Sequence, residues 1–337
     1  MRGHDSQIMK IVIAGGTGQV GTILARAFHA DKHQVIVLSR NPVNAPWRTV
    51  AWDAQTLGAW VEEIENSDVV INLAGRSVNC RYNKKNRQEI IESRVKSTQI
   101  VGEAIAQASS APPVWLQMST ATIYAHRYDA PNDEHTGVLG GNELDAPDTW
   151  RFSINVAKEW ERAVDEALVP HTRKVKMRSA VVMSPDAGGI FDTLLTLVRR
   201  RLGGSSGDGR QYVSWIHHQD FVRAVYWLIE HQEMKEAVNL AAPLPLPNAK
   251  FMKDLREAWG IRLGLPATKL MLEIGAVLMK TETELILKSR RVIPQKLIDA
   301  GFKFHYEIWQ DAARDLYREW RGKYQERANN SFNRSAS

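Results

Sequence analysis

The segment "MKIVIAGGTGQVGTILARAFHA" constrains this chain more than any other. Ile11–Ile13 form a short apolar run that leads directly into glycines at 15, 18 and 21, and a helical pattern follows. Glycines spaced three apart between a strand and a helix meet three needs: a tight turn, close approach of backbone to a ligand, and helix-on-strand packing. Each requires a missing side chain. The helix expected over Gln19–Ala30 points free N–H groups and the positive end of its dipole at whatever lies before the turn. A pyrophosphate suits that cradle. Gly15, Thr17, Gly18, Gln19, Val20 and Gly21 therefore read as a dinucleotide-binding turn, with a purely structural turn as the alternative.

The following chain repeats the alternation. Strands are expected at Val35–Leu38, in "TVAWDA", in "SDVVINLAG" and in "VWLQMST", with a long helix over "KNRQEIIESRVKSTQIVGEAIAQA". A helix through Lys158 to about Ala167 and a strand in "KVKMRSAVVM" continue the series. Apolar strands alternating with helices predict a parallel sheet buried on both faces. The fold class is α/β: a Rossmann-type doubly wound parallel sheet with a smaller, mostly helical C-terminal lobe. Met9 reads as the start of the folded part. The Rossmann domain is placed at residues 9–240, with segments near 185–220 as candidates to join the other lobe, and the C-terminal lobe at 241–320. The chain is expected to interleave near Gln211–Pro247. A helical region is expected from Ala249 to about Arg290, and residues 1–8 and 325–337 read as disordered.

The 337 residues allow a sizeable core, and 44% hydrophobic with 24% charged residues is an ordinary globular balance. No apolar run reaches the roughly 18 residues of a membrane span. The longest candidate, Leu270–Met279, is broken by Glu273 and reads as a buried helix face. The lone Cys80 excludes an internal disulfide and fits a reducing cytoplasm. A net charge of +6 is compatible with nucleic acid, but the basic residues are scattered without a nucleic-acid motif. Neither a nucleic-acid nor a membrane partner is expected.

The end of the second strand selects between cofactors. A carboxylate there would bind the ribose 2′-hydroxyl of NAD. This chain has "LSRNP", offering Ser39 and Arg40 instead. Arginine matches a phosphate with several donors, so NADP(H) is favoured, and an ordinary surface arginine is the alternative.

The segments "GGTGQVG", "NLAGRSVNCRY", "ESRVKST", "STATIY", "KEWE", "GDGRQYVSWIHHQDFVRA", "VNLAAPLPLPN" and "RVIPQKLIDAGFKF" span Met9 to about Leu316. In their order, they resemble the extended short-chain dehydrogenase/reductase superfamily, the NAD-dependent epimerase/dehydratase group. The likeness is nearest to the "epimerase family protein" branch, with its own C-terminal domain of unknown function. The resemblance implies that Asp53, with Ala54 beside it, contacts adenine and that Leu73, Ala74 and Gly75 pass along the cofactor. It implies that Arg81 reaches a cofactor phosphate, and a surface salt bridge is the other reading of Asp53 and Arg81. Many members have glutamate where this chain has Arg76.

The family's reaction centre implies a hydroxyl residue, a tyrosine and a lysine. Thr120 aligns with the hydroxyl position, with Ser119 beside it, and strand-end capping is the alternative. Tyr124 belongs to the same motif as a structural or substrate-lining residue. In "FSINVAKEWE" the lysine is Lys158, but the tyrosine position one helical turn earlier is Ile154, which cannot carry a proton. Lys158 reads as contacting the cofactor or as ordinary helix surface. Tyr124, His126, Tyr128, His217 and His218 are replacement acids to consider, and His217 and Asp220 also read as structural tethers. No metal site is expected, because adjacent histidines on a regular element point apart. The loop "LGGSSGDGRQ", with Arg210, is a second candidate anion site or a plain connecting loop.

The chain is thus read as an NADP(H)-binding oxidoreductase or epimerase-like protein. It would act by hydride transfer on a small carbonyl or alcohol, sugar-nucleotide-like substrates included, bound between the two lobes. A non-catalytic NADP(H)-binding redox sensor is the alternative, and a nucleic-acid binder a weaker third. A monomer or homodimer is expected.

Overall fold

In a computed structural model the structure describes residues 7–144, 146–268, 282 and 284–335. Contacts divide these into two compact units, one drawn from 1–123, 140–179 and 222–239, the other from 124–139, 180–221 and 240–337.

The first unit is built on a seven-stranded sheet. Its strands are β1 (Lys10–Ala14), β2 (Gln34–Ser39), β3 (Arg48–Ala51), β4 (Val69–Asn72), β5 (Val114–Thr120), β6 (Arg173–Ser179) and β10 (Glu236–Leu240), in spatial order β10-β6-β5-β4-β1-β2-β3. The pairings from β6 across to β3 are all parallel. This explains the uninterrupted apolar runs: Ile11–Ala14 and Val69–Asn72 are fully buried because helices cover both faces. β1 pairs with β2 on one side and with β4 on the other, so the strand order reverses there and opens a crevice at the carboxyl ends. The helices of this unit include α1 (Gln19–Ala30), α2 (Lys84–Gln107) and α3 (Asp148–Asp165). One core cluster joins Val12, Ile36, Leu38 and Val70 to Val101, Ala104 and Trp115.

The strand expected through Lys174–Met183 is two strands. It breaks at Ala180, whose N–H donates to Leu240 O at 2.9 Å, and β7 (Val181–Met183) then pairs with β9 (Trp215–His217) in a separate sheet. Strand propensity is continuous across the break, and the change of partner is tertiary.

The second unit contains β7, β9, the two-stranded pair β8 (Tyr212–Val213) and β11 (Leu246–Pro247), and helices α4 (Ile190–Arg199) and α6 (Asn248–Trp259). Helix α5 (His218–Glu230) begins in it. A single turn α7 (Glu284–Leu287), α8 (Gln295–Asp299) and α9 (Trp309–Ser335) follow. Its core stacks Phe251 on Trp309 at 4.0 Å, with Trp215 edge-on at 5.0 Å. The helix expected from Ala249 to Arg290 stops early: Gly260, at φ +84°, closes α6 in the left-handed conformation that ends helices. The apolar run Leu270–Met279 lies outside the described residues, as do 1–6, 336 and 337. The backbone of 325–335, where composition predicts disorder, continues α9, since adding residues to an existing helix is far easier than starting one.

Candidate functional site

The three motif glycines do three different jobs. Gly15 sits at φ +73°, and a Cβ there would stand 2.7 Å from Ala74 Cα, so the turn after β4 is pressed against it. A Cβ on Gly21 would meet Gly16 Cα at 2.4 Å, so α1 closes on the turn itself. Gly18 meets nothing within 4 Å: its missing side chain is open space at the N-cap of α1. No side chain caps that helix, which leaves its first-turn N–H groups for an anion.

In front of this turn lies a cleft of about 590 Å³ within the first unit. Of the expected cofactor residues, Gly15, Thr17, Gly18, Ser39, Arg40, Asp53, Ala54, Leu73, Ala74 and Gly75 line it. Ser39 Oγ lies 3.2 Å from Thr17 Oγ1, donates to Asn41 O and accepts from Asn41 N. This ties the exit of β2 to the glycine turn and leaves Arg40 exposed, with no partner for its guanidinium among the described residues. Asp53 accepts from Thr56 Oγ1 at 2.6 Å and from the N–H groups of Thr56 and Gln55 at 2.8 Å, and the Thr56 hydroxyl foremost holds its pKa below the usual carboxylate value. Ala54 has φ +65°, a left-handed conformation that costs a non-glycine residue about 1 kcal/mol and clusters at ligand sites. Buried Asn72 accepts from Ala74 N and donates to Gln117 Oε1, both at 3.0 Å, and so sets the Leu73–Gly75 turn.

The opposite wall was not foreseen from sequence. Arg76 follows the turn, and Glu89, Glu92, Ser93 and Lys96 project from α2. Glu89 pairs with Arg76 at 2.9 Å and Glu92 with Lys96 at 3.0 Å. Such half-exposed pairs are screened by solvent and add little to stability. Beneath them Arg94 lies against Gly75 and over the Trp160 ring, where burial pushes it down to about 10, still a cation at neutral pH. The only sequence signal for this wall is the helical spacing of 89, 92, 93 and 96.

Gln19, Val20 and Gly21, in α1, do not line the cleft, nor do Arg81 or Lys158. Arg81 is exposed in the approach to α2, with its carbonyl accepting from Asn86 Nδ2 and Asn83 N.

At the end of β5 the neighbouring Ser119 and Thr120 point to opposite faces. Ser119 is buried and donates to Glu161 Oε1 at 2.6 Å, and Glu161 in turn accepts from Arg178 Nε at 2.8 Å and Nη2 at 2.7 Å. Its hydroxyl is therefore committed to α3. Thr120 is half-buried, and its Oγ1 accepts from Thr122 N at 3.2 Å. The empty tyrosine position is filled: Ile154 is 1% exposed, and Gly141, at φ +103°, lies over it. A Cβ on Gly141 would stand 3.3 Å from Ile154 Cγ2 and 3.4 Å from Lys158 Nζ. Among the described residues Lys158 Nζ has neither a hydrogen bond nor an ion pair.

Tyr124, His126, Tyr128, Arg210, His217, His218 and Asp220 belong to the second unit. Tyr124 is buried, and His126 Nδ1 accepts from Ser289 N at 2.8 Å. Arg210 lies over the Tyr128 ring at 5.6 Å. Asp220 accepts the N–H groups of His305 and Tyr306 at 2.9 and 2.8 Å, holding the strap before α9. The adjacent histidines do not point apart. At the junction of β9 and α5 their rings stand 4.6 Å apart, and their ligand atoms lie within 4.8 Å of each other and of Glu319. Strand alternation fails where the helix begins. His217 Nδ1 accepts from Gln219 N, which leaves the neutral ring's proton on Nε2, facing Asp315 Oδ2 at 3.5 Å, while His218 Nε2 faces Glu319 at 3.3 Å.

Residues 11–143 match the family model described as "NAD dependent epimerase/dehydratase family", and 267–316 match "Domain of unknown function (DUF1731)". The chain is 30% identical over 303 residues to the epimerase family protein SDR39U1 of Homo sapiens, covering 88% of this chain and 96% of that protein. An epimerase family protein of Mycobacterium leprae is 31% identical over 307 residues, covering 90% and 94%. Among solved structures, human SDR39U1 (isoform 2) with NADPH is similar at a TM-score of 0.79 and 27% identity, covering 91% of this chain and 98% of that one. A nucleoside-diphosphate sugar epimerase of Corynebacterium glutamicum follows at 0.71 and 26%, covering 93% of this chain and 59% of that one.

Proposed function

This chain belongs to the NAD-dependent epimerase/dehydratase family, and on that premise we propose that it binds NADP(H) in the cleft before α1 and works on a small carbonyl or alcohol substrate. The observation that carries the reading is the pairing of Gly18, whose missing side chain leaves open space at an uncapped helix N-terminus, with Arg40, a cation without a partner among the described residues where an NAD site would have a carboxylate. NADPH in the crystal structure of the human relative supports the same choice. Bound NADP(H) supplies or takes up the hydride. The protein's part is to seat it: the α1 N-terminus and glycine turn receive the pyrophosphate, Ser39 and Arg40 the 2′-phosphate, and Asp53 with Ala54 the adenine end. Thr120 offers a hydroxyl to the substrate oxygen, and Lys158 an ammonium that no carboxylate among the described residues neutralises.

Thermal shifts with NADPH and NADH test the cofactor, since a ligand that binds only the native state stabilises it. NADPH is expected to stabilise the chain more than NADH, and Arg40→Ala to remove the difference. Equal shifts in the wild type would sink the assignment of Arg40.

A second reading, an NADP(H)-binding protein without turnover, is favoured by one observation: Ile154 is sealed under Gly141, with no protic side chain in its place. A panel of carbonyl compounds followed by NADPH absorbance separates the two. Turnover that falls in Thr120→Val and Lys158→Met supports the enzyme, and tight binding with no turnover supports the sensor.

A further inference from the structure

The wall of the cleft formed by α2 carries charge that the glycine turn and Arg40 leave unused. Glu89, Glu92, Ser93 and Lys96 share one helix face and all line the cleft. Arg76, facing them, has a fixed backbone: its N–H donates to Ser93 Oγ at 2.9 Å, and its carbonyl accepts from Arg94 at 3.0 Å. Its side chain is a third exposed and ends on Glu89, with one long 3.5 Å bond from Nη1 to Asn86 O, so the guanidinium can change partner while the main chain stays in place. Lys96, on α2, is held by Glu92 alone among the described residues.

We propose that Arg76 and Lys96 are phosphate ligands of the dinucleotide, held along the cleft wall by Glu89 and Glu92 until the phosphate takes them over. The proposal rests on the NADP(H) reading above. Both ion pairs are half-exposed and screened by salt, so breaking them costs little. The 2′-phosphate offers three terminal oxygens with as much as two negative charges, and the pyrophosphate one charge on each of its two phosphates; either outcompetes one carboxylate for an arginine or lysine. The glutamates and the phosphate compete for the same two cations. That competition has a sign a scaffolding role lacks: deleting a cation weakens binding, while neutralising a glutamate strengthens it. The phosphate is either the 2′-phosphate or the pyrophosphate, and comparing NADPH with NADH separates them.

The test is calorimetric titration of the full chain with NADPH and with NADH, in the wild type and in Arg76→Gln, Lys96→Gln, Glu89→Gln and Glu92→Gln. Ligand-free melts check that these surface changes leave the fold intact. The two cation variants are expected to raise Kd about three- to tenfold, and the two glutamate variants to lower it about two- to threefold. A loss confined to NADPH assigns the cations to the 2′-phosphate, and a loss with both nucleotides assigns them to the pyrophosphate. Unchanged affinity in both cation variants, or weaker binding in the glutamate variants, overturns the proposal while leaving NADP(H) binding in place. A wild type that binds neither nucleotide removes the NADP(H) reading, and this proposal with it.

Discussion

At the scale of single residues, the two glycines that frame the start of α1 make opposite predictions. Gly18 has open space before it, and at φ −72° the backbone accepts any residue. Gly18→Val is expected to change stability in denaturant by no more than about 0.5 kcal/mol, yet to abolish stabilisation by NADPH, because its methyl groups fill the phosphate cradle. Gly21→Ala meets Gly16 backbone at 2.4 Å and is expected to cost about 1–3 kcal/mol of stability through overpacking. If both variants lose stability alike, the cradle is structural. The glycine spacing was legible in sequence because each glycine answers a local need. Gly141 was not legible: its place over Ile154 and Lys158 depends on a loop that returns from 11 positions before the motif that drew attention, and no local pattern encodes that return. Ile154→Tyr accordingly restores a residue type without restoring a site. The ring has no room under Gly141, so lower stability without a gain in turnover is expected, and denaturation with a turnover assay checks both.

At the scale of elements, most strands and helices follow from apolar runs punctuated by glycine, which is why α1 and β5 fall where periodicity puts them. What holds the elements together is harder to read. Glu161 and Arg178 look like surface charges in their own segments, but α3 and β6 bring them together in a nearly buried fork that also engages Ser119 of β5. Breaking one side removes the opposite charge from a nearly buried partner, so Glu161→Gln is expected to cost about 3 kcal/mol. Replacing both by apolar residues, Glu161→Leu with Arg178→Met, is expected to recover most of that loss. Urea denaturation of the single and double variants measures the difference, and additive losses would show that the two side chains act separately. The split of "KVKMRSAVVM" was hidden for the same reason: either half makes a good strand, and only partners far along the chain decide which sheet each one joins.

At the scale of the whole molecule, two units with separate cores respond to different variables. Ligand acts on the first, where the cleft lies. Acid acts on the second through His217, which is fully buried among His218, His305, Tyr306, Asp315 and Glu319. Burial foremost, and then the neighbouring His218, pull its pKa from 6.5 down to about 3. A folded pKa below the unfolded one means that the neutral ring's contribution is complete above pH 6.5 and is lost as pH falls toward 3. Each proton taken up on unfolding makes stability fall by about 1.4 kcal/mol per pH unit in that window. Hydrogen exchange, corrected for the intrinsic rate, is expected to show protection falling between pH 6.5 and 4.5 in peptides from 212–217 and 305–320. Peptides from 10–40 are expected to respond to NADPH instead. His217→Gln lowers stability at neutral pH but flattens the slope, because it removes the titrating group. A slope unchanged in that variant would move the acid sensitivity to the carboxylates around it, and loss of protection throughout the chain at one pH would mean that the two units unfold as one.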